Sequence, residues 1–434
     1  MDEQEFERII KKKDRIIKRL EKEKNKLEEE NCELKKRLLM YENAHTPPSL
    51  QRIKKRMPRE SSGRLGAPIG HPKYEREEPE ITKTIRHSVD ICPYCSTKLD
   101  SKEILEIIEE EIPEMEKIQV IKHEIEYGIC PKCNRRVIAK NNAPADRFGP
   151  NLKTKITLLR HDDRLPLRKV ESTLLRDYGF EITHTGIMKI IRKVARKLKE
   201  PYYNVIKLVR SSWVVYVDET QYKLNGETWW LWTFVCEDAV LFVIRKSRSK
   251  EVVEEILGKE FKGIISCDGW KTYESFSEKL QRCWAHLLRE SHYLKEKHKN
   301  FEVYHDYLKA MFNRIIEIRL KPPDEKERIK IAEEMKESLL GTAKKMGKNP
   351  SFKEFAGKIE NGINYWFTCI VHLEVEPTNN FAEQALRELI VQRKIMGGLR
   401  SEKGAETLEI ISTMIATWKK QNKPLLETLK GYLA

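Results

Sequence analysis

Three acidic residues, far apart along the chain, occupy positions that suit a metal-dependent nuclease. Asp218 ends an apolar, strand-like run that begins at Trp213, and Asp268 ends a second such run that begins at Gly263. Glu383 lies one turn into a predicted helix. Carboxylate oxygens are the ligands that Mg²⁺ prefers, and a pair of Mg²⁺ ions can stabilise both the attacking and the leaving oxygen of a phosphodiester. The three carboxylates therefore predict a site for two Mg²⁺ ions.

The segments around the first two acids have the residue types and turn signals of β-strands. We predict strands over Trp213–Val217, Thr228–Cys236, Val240–Arg245 and Ile264–Cys267. A turn at Asn225-Gly226 joins the first pair, and a predicted helix over Ser249–Lys259 precedes the fourth strand. Three meandering strands, a helix and a strand bearing a second aspartate outline a ribonuclease-H-like α/β domain. In that fold the two aspartates lie on adjacent strands of one sheet.

Glu219 directly follows Asp218 and competes with it as the metal ligand. Because side chains alternate across a strand, only one of the two is expected to face the metal ions, and we select Asp218. On the third segment, Glu383, Arg387 and Lys394 lie near one face of the predicted helix. The carboxylate can bind metal while the cations hold phosphates, although a solvated Glu–Arg pair fits the same spacing.

His286 and Arg289 share a face of another predicted helix and are candidates for contact with a phosphate. A histidine hydrogen-bonded inside the core is the alternative interpretation of His286. Residues 291–376 are helical and rich in lysine, which predicts an all-α insertion between the second and third acids.

Lysine and arginine exceed the acidic residues by 83 to 68, and the resulting formal charge is +15. Such a surplus of positive charge fits a nucleic-acid partner. It fits equally a protein whose surface charge serves only to keep it soluble. No apolar run is long enough to cross a bilayer, and the first residues lack the pattern of a secretory signal. We therefore expect a cytoplasmic, nucleoid-associated protein without a membrane partner.

Four of the nine cysteines fall into two Cys-x-x-Cys pairs, Cys92–Cys95 and Cys130–Cys133. Each pair can give two thiolates to one tetrahedral ion, so together they predict a structural Zn²⁺ site of the zinc-ribbon type. Four sulfur ligands leave no open position on the ion, and the predicted role is therefore structural.

Before the zinc-binding module, residues 4–43 have the composition of a long helix with a heptad pattern. The pattern fits a parallel coiled coil, with Asn31 at an inward position, and a single solvated helix is the alternative. After the module, a helix over Leu167–Asp177, a turn with glycine and a helix capped by Thr183 outline a helix-turn-helix. Arg192, Lys193 and Arg196 on its second helix suit phosphate contacts, although many helix hairpins bind nothing.

The predicted organisation is multidomain. Its parts are a coiled-coil helix (1–43), a basic flexible linker (44–84), a zinc-binding module (85–145), a helical DNA-binding section (150–210), a catalytic domain (211–400) and a helical tail (401–434).

Taken together, these residues resemble the insertion-sequence 66 family of DDE transposases across nearly the whole chain. The most specific matches are Val217–Thr220, Asp268-Gly269, Cys283–His286 with Arg289, Asn379-Asn380 through Glu383 and Arg387, and then Arg393-Lys394. The family usually has glycine after each Cys-x-x-Cys pair, whereas Ser96 and Asn134 stand there in this chain. Asparagine tolerates the left-handed backbone that such a position requires.

The resemblance implies a DNA transposase that acts through Asp218, Asp268 and Glu383 with two Mg²⁺ ions, and it adds Arg393 to the candidates for DNA contact. The implied partners are the terminal inverted repeats of the element, the target DNA, a second copy of the chain or a higher oligomer, and accessory proteins of the same element. Two alternatives are a ribonuclease-H-fold nuclease without strand transfer and a non-catalytic dimeric DNA-binding protein derived from a transposase.

Overall fold

The computed structural model describes residues 146–433 except 271, 275 and 278, residues 116–138 and 144, and parts of the stretches 18–30 and 81–98. Two short strands, β1 (Tyr127–Ile129) and β2 (Arg136–Ile138), pair as an antiparallel hairpin. The described residues between 18 and 30 are helical, and the rest of the predicted coiled coil and nearly all of the basic linker lie outside the described residues. In the described part of the chain, no helix combines the length and apolar character that a membrane span requires.

The larger sheet has five strands in the order β5-β4-β3-β6-β7. These strands are β3 (Val214–Leu224), β4 (Glu227–Val235), β5 (Val240–Arg245), β6 (Ile264–Cys267) and β7 (Leu280–Arg282). The first three form an antiparallel meander, and β6 and β7 continue the sheet in parallel with β3. Asn225 and Gly226 both have positive φ, 48° and 84°, as a tight two-residue hairpin turn requires.

Two expectations about these strands are wrong. Asp218 does not end its strand, because β3 continues for six more residues to Leu224 and pairs with β4 along that whole length. The side chains after Asp218 alternate between buried and exposed positions, as in a strand with one face in the core. The apolar run before Asp218 does not show that the strand continues. The strand β7 was not predicted at all, since Leu280–Arg282 is too short to show a period.

Thirteen helices of four or more residues surround the sheet in the described part of the chain. They are α1 (Pro150–His161), α2 (Leu167–Tyr178), α3 (His184–Lys197), α4 (Lys199–Ser211), α5 (Lys250–Leu257), α6 (Trp284–Lys297), α7 (Glu302–Leu320), α8 (Glu325–Met346), α9 (Lys353–Asn361), α10 (Thr368–Val371), α11 (Asn380–Met396), α12 (Glu402–Lys420) and α13 (Leu425–Leu433). Thr183 caps α3 by accepting a hydrogen bond from the amide of Gly186 at 3.3 Å, as the sequence predicts.

The sheet separates two apolar cores. One contains Val215 and Val217 of β3 and buried residues of α1–α5, α12 and α13. The other contains Tyr216 and Tyr222 of β3 and buried residues of α6–α11. Alternation along β3 accounts for the division, because successive side chains point to opposite faces of a sheet. The helices α1–α4 thus share a core with the sheet, and the insertion helices cover the other face.

The helix α12 protects the outer edge of the sheet. Its residues Glu409, Thr413 and Thr417 are spaced by one helical turn and accept hydrogen bonds from the amides of Ile244, Phe242 and Val240 of β5, at 2.7, 2.9 and 3.2 Å. An edge strand otherwise exposes a row of unpaired backbone groups that invites association with another chain. The segment 401–434, expected as a tail, therefore contributes its first helix to the sheet.

We expect Thr413→Val to lower the free energy of unfolding by about 1–3 kcal/mol, because it leaves the buried amide of Phe242 without an acceptor. The measurement is urea denaturation followed by circular dichroism. Thr407→Val is the matched control, since the hydroxyl of Thr407 donates only to the Lys403 carbonyl of its own helix. Equal stability losses in the two variants would show that the bond to the β5 edge contributes nothing specific.

Candidate active site

Asp218 and Asp268 are brought together by the pairing of β3 with β6. The register of these parallel strands matches Val214 with Ile264 and Tyr216 with Ser266. Asp218 lies two residues beyond the last pair, and Asp268 directly follows the end of β6. Asp218 lies on the face of the sheet that carries Tyr216 and the insertion helices, because side chains two apart on a strand share a face. Asp268 is near enough that its charge raises the pKa of both Asp218 and Glu219.

Glu383 reaches this face from α11, which packs across β3 and β4. The start of α11 is joined to β3 by Asn379, which is fully buried and donates from Nδ2 to the carbonyl of Val217 at 2.8 Å. A second connection is the hydroxyl of Tyr216, which accepts a hydrogen bond from the amide of Glu376 at 2.8 Å. Both bonds end on the residues that immediately precede Asp218, so the helix that carries Glu383 is positioned directly against the strand that carries Asp218.

The electrostatics of Asp218 indicate that the acids lie close together. Burial raises its pKa, and the charges of Glu219, Asp268 and Glu383 raise it further, to about 8. The amide of Glu219 donates to Oδ1 of Asp218 at 3.0 Å and opposes this shift without cancelling it. A carboxyl group whose pKa is raised by neighbouring carboxylates is a place where a cation is stabilised. The donor set, made of carboxylate oxygens, fits Mg²⁺.

Glu219 lies on the opposite face of β3 and already has its own partners. Its carboxylate pairs with Arg248 at 2.6 Å and accepts a hydrogen bond from the hydroxyl of Tyr273 at 2.6 Å. The guanidinium of Arg248 lies over the rings of Trp230 and Trp270, at 5.0 and 4.5 Å from their centroids. Glu219 is only 1% exposed, and burial and the charge of Asp268 raise its pKa even though Tyr273 and Arg248 oppose that shift. Its carboxylate already has these two partners, so Asp218 stays the preferred candidate for the metal ligand.

Glu383 has two cationic or titratable neighbours, both on α6. Nδ1 of His286 lies 3.5 Å from Oε1 of Glu383, and Nη2 of Arg289 lies 3.6 Å from Oε2. Among the described residues, neither Oε1 of Glu383 nor Nδ1 of His286 has a hydrogen-bond partner, although both atoms are buried. Sγ of Cys283 completes a group whose ligand atoms all lie within 4.8 Å of one another. His286 is therefore at the acid cluster and not inside an apolar core.

The other predicted contact residues do not all meet at the acids. Arg387 is exposed on α11, whereas Arg393 donates to the carbonyl of Gln221 and lies over the ring of Tyr222, 5.6 Å from its centroid. Lys394 is half-buried, and burial lowers its pKa. Three predicted contact residues lie on α3 and are exposed: Arg192, Lys193 and Arg196. Their helix packs against the face of the sheet opposite Asp218. Lys193 also pairs with Asp146 at 3.3 Å.

For the predicted zinc module, the structure describes only the second cysteine pair. Cys130 lies after β1, and its backbone bonds with Arg135 and Asn134 close a tight turn. Amides of Cys133 and Lys132 lower the pKa of the Cys130 thiol, as in a turn that holds a thiolate. Asn134 and Ser96 both have positive φ, 50° and 59°, so serine also adopts the conformation for which the family uses glycine. Cys92 and Cys95 lie outside the described residues.

Sequence reasoning assigned no role to several residues that build the site. Asn379 and Cys283 belong to motifs that were recognised, but their contacts with β3 and α11 depend on tertiary structure. Arg248 and Tyr273 were missed because neither is near Glu219 along the chain. An acid next to the predicted ligand signals that a counter-charge is needed, but it does not reveal which cation supplies it.

Comparison with known proteins identifies the family of this chain. The model of the family described as "Transposase IS66 family" matches residues 146–407, which include all three acids. The "Uncharacterized protein y4qI" of Sinorhizobium fredii (strain NBRC 101917 / NGR234) is similar, with 24% identity over 335 residues, 67% of this chain and 61% of that protein. This chain thus spans less than two thirds of the length of that relative. Since the family model matches more than half of the sequence, the protein belongs to the IS66 family of transposases.

Proposed function

We propose that this protein is a DNA transposase that cuts the ends of an insertion element and joins them to target DNA, with Asp218, Asp268 and Glu383 as its catalytic carboxylates. The observation that carries the proposal is the setting of Asp218: burial raises its pKa to about 8, with further contributions from the charges of Glu219, Asp268 and Glu383, so both other proposed ligands are near enough to act on it. The sheet order β5-β4-β3-β6-β7, with a meander followed by two parallel strands, supports a ribonuclease-H-like catalytic domain.

The three carboxylates are the residues that would hold two Mg²⁺ ions. When bound, such ions supply Lewis acidity that activates a hydroxyl nucleophile and stabilises charge on the phosphate oxygens. The chain itself contributes the fixed spacing of the acids, because β3 and β6 are paired in register. It also pairs the neighbouring Glu219 with Arg248, although the charge of Glu219 still acts on Asp218.

The proposed reaction has two displacements at phosphorus. In the first, water attacks a phosphodiester at the element end, one P–O bond forms, one breaks, and a 3′-hydroxyl is released. In the second, that 3′-hydroxyl attacks a target phosphodiester and displaces the target's 3′-oxygen. Arg289 and the exposed Arg387 lie on the helices beside Glu383 and are placed to hold phosphates on either side of the reacting bond. No covalent protein intermediate is required.

The remaining parts of the chain are assigned to DNA and to assembly. The exposed cations of α3 are proposed to contact the phosphates of the terminal repeats, together with a zinc module built on Cys92, Cys95, Cys130 and Cys133. The coiled coil at 1–43 is proposed to pair two copies of the chain, and accessory proteins of the element are further candidate partners. A protein with these partners acts at the nucleoid.

We expect Asp268→Asn and Glu383→Gln each to reduce Mg²⁺-dependent strand joining by at least about a thousandfold, because each removes an anionic metal ligand. The assay uses DNA carrying the element ends and measures both cut and joined products. Glu388→Gln, an exposed acid on the same helix as Glu383, is the control and should retain activity. Undiminished joining by Asp268→Asn would refute the assignment, and cutting without joining by the unaltered protein would instead favour a nuclease.

We expect Asp218→Asn to raise the melting temperature of the metal-free protein, most strongly near pH 8. The native Asp218 carboxyl has a pKa of about 8 and the unfolded one has the ordinary value of 3.8, so native protein binds the extra proton between these pH values. The free energy of unfolding therefore falls as the pH rises through this window. Added Mg²⁺ should stabilise the unaltered protein and should have little effect on the variant. A lower melting temperature for Asp218→Asn would contradict the raised pKa of Asp218, whose largest cause is burial.

We expect Asn379→Ala to reduce strand joining by at least about tenfold while DNA binding is kept, because α11 loses its hydrogen bond to Val217 beside Asp218. Asn379→Asp should not restore activity, since a carboxylate cannot donate to that carbonyl. Circular dichroism at the assay temperature checks that the variants are folded. Full activity in a folded Asn379→Ala protein would show that the bond does not position Glu383.

A further inference from the structure

A second kind of metal site overlaps the acid cluster. Cys283 precedes the first residue of α6, His286 lies within the first turn of the same helix, and Glu383 faces both from α11. The three ligand atoms lie within 4.8 Å of one another. Cys283 is the N-cap residue of the helix that carries His286, and the closeness of their ligand atoms lets both bind one ion.

The chemistry of these ligands differs from what Mg²⁺ requires. Mg²⁺ takes oxygen ligands, whereas a thiolate, an imidazole and a carboxylate are ligands of Zn²⁺. With bonds of about 2.0–2.3 Å, the ligand atoms of a tetrahedral Zn²⁺ site are about 3.3–3.8 Å apart. The observed ligand atoms therefore need to approach one another by at most about 1.0–1.5 Å, which side-chain rotation can supply.

We propose that Cys283, His286 and Glu383 form a Zn²⁺ site that takes Glu383 away from the catalytic Mg²⁺ and so inhibits the enzyme. The proposed inhibition rests on the proposed function, because it requires Glu383 to be a Mg²⁺ ligand. The proposed binding of Zn²⁺ to the three side chains does not depend on the proposed function. Three protein ligands leave one position of a tetrahedral ion for water.

The hydrogen bonding of the three side chains leaves room for an ion. Oε1 of Glu383 and Nδ1 of His286 are buried atoms without a hydrogen-bond partner among the described residues. Such atoms are costly unless something binds them. Sγ of Cys283 accepts a hydrogen bond from the amide of Asn379 at 3.1 Å, which stabilises a thiolate and does not block its other lone pairs.

The thiol must lose its proton to solvent when the ion binds. Zn²⁺ binding stabilises the resulting thiolate. Arg289, whose guanidinium lies 3.6 Å from Oε2 of Glu383, is exposed and can move away from the carboxylate as the ion enters.

The binding test uses Co²⁺ as a spectroscopic substitute for Zn²⁺ in the full-length protein, and every variant is compared with the unaltered protein so that any signal from the proposed four-cysteine module cancels. We expect a thiolate-to-Co²⁺ charge-transfer band in the unaltered protein that is lost in Cys283→Ser and weakened in His286→Gln. The hydroxyl introduced by Cys283→Ser can still accept the hydrogen bond from Asn379, so the fold should be kept. Cys236→Ser, which removes a buried thiol outside the group, is the matched control and should keep the band. A band of equal intensity in Cys283→Ser overturns the site, whether or not the protein proves to be a transposase.

The competition test measures strand joining at fixed Mg²⁺ with increasing Zn²⁺. Removing a residue that only hydrogen-bonds to a metal ligand weakens metal binding by about 10–100-fold, so loss of the thiolate itself should raise the half-inhibitory Zn²⁺ concentration by at least about tenfold. Raising Mg²⁺ should relieve the inhibition of the unaltered protein. Equal Zn²⁺ sensitivity of the unaltered protein and Cys283→Ser overturns the competition, even where the Co²⁺ band is lost.

Discussion

The site depends on holding like charges together against their repulsion. Burial, followed by the charges of Glu219, Asp268 and Glu383, raises the pKa of Asp218 to about 8, and nothing in the chemistry of these acids favours this arrangement. The backbone supplies the restraint. Since β3 is paired with β4 on one side and with β6 on the other, the first two acids cannot separate without breaking a sheet from its centre. The repulsion that remains is what a cation can relieve.

The alternation of β3 gives two adjacent acids opposite roles. Glu219 points to the core of α1–α5, where Arg248 and the hydroxyl of Tyr273 compensate its charge. Asp218 points to the insertion helices, where its neighbours are other acids. The first arrangement is a buried ion pair with satisfied hydrogen bonds, which fixes the position of the strand. The second is left uncompensated, which is the condition that a metal site needs.

Periodicity in the sequence predicts most strands of the sheet but few of the contacts that position the residues of the site. The bounds of β5 and β6, the hairpin at Asn225 and the cap at Thr183 all follow from local rules, and the structure confirms them. The full length of β3 and the existence of β7 do not follow, because the alternation after Asp218 runs through mostly polar residues and the three residues of β7 are too few to show a period. Contacts such as Asn379 with Val217 join residues 162 positions apart, and no local pattern encodes them.

The helical insertion is another part of the chain whose contacts the sequence does not predict. Its sequence identifies it only as a long helical segment between Asp268 and Glu383. Arg319 of α7 donates to the carbonyls of Cys369, Val375 and Leu373 and pairs with Glu376, over distances of 2.8–3.1 Å. Glu376 is the residue whose amide bonds to Tyr216 of β3. One guanidinium thus orders the turn that leads into α11, and it satisfies carbonyls that a turn would otherwise leave unpaired. The insertion is therefore part of the support of the third carboxylate, and loosening α7 should disturb Glu383 while leaving the pairing of Asp218 with Asp268 intact.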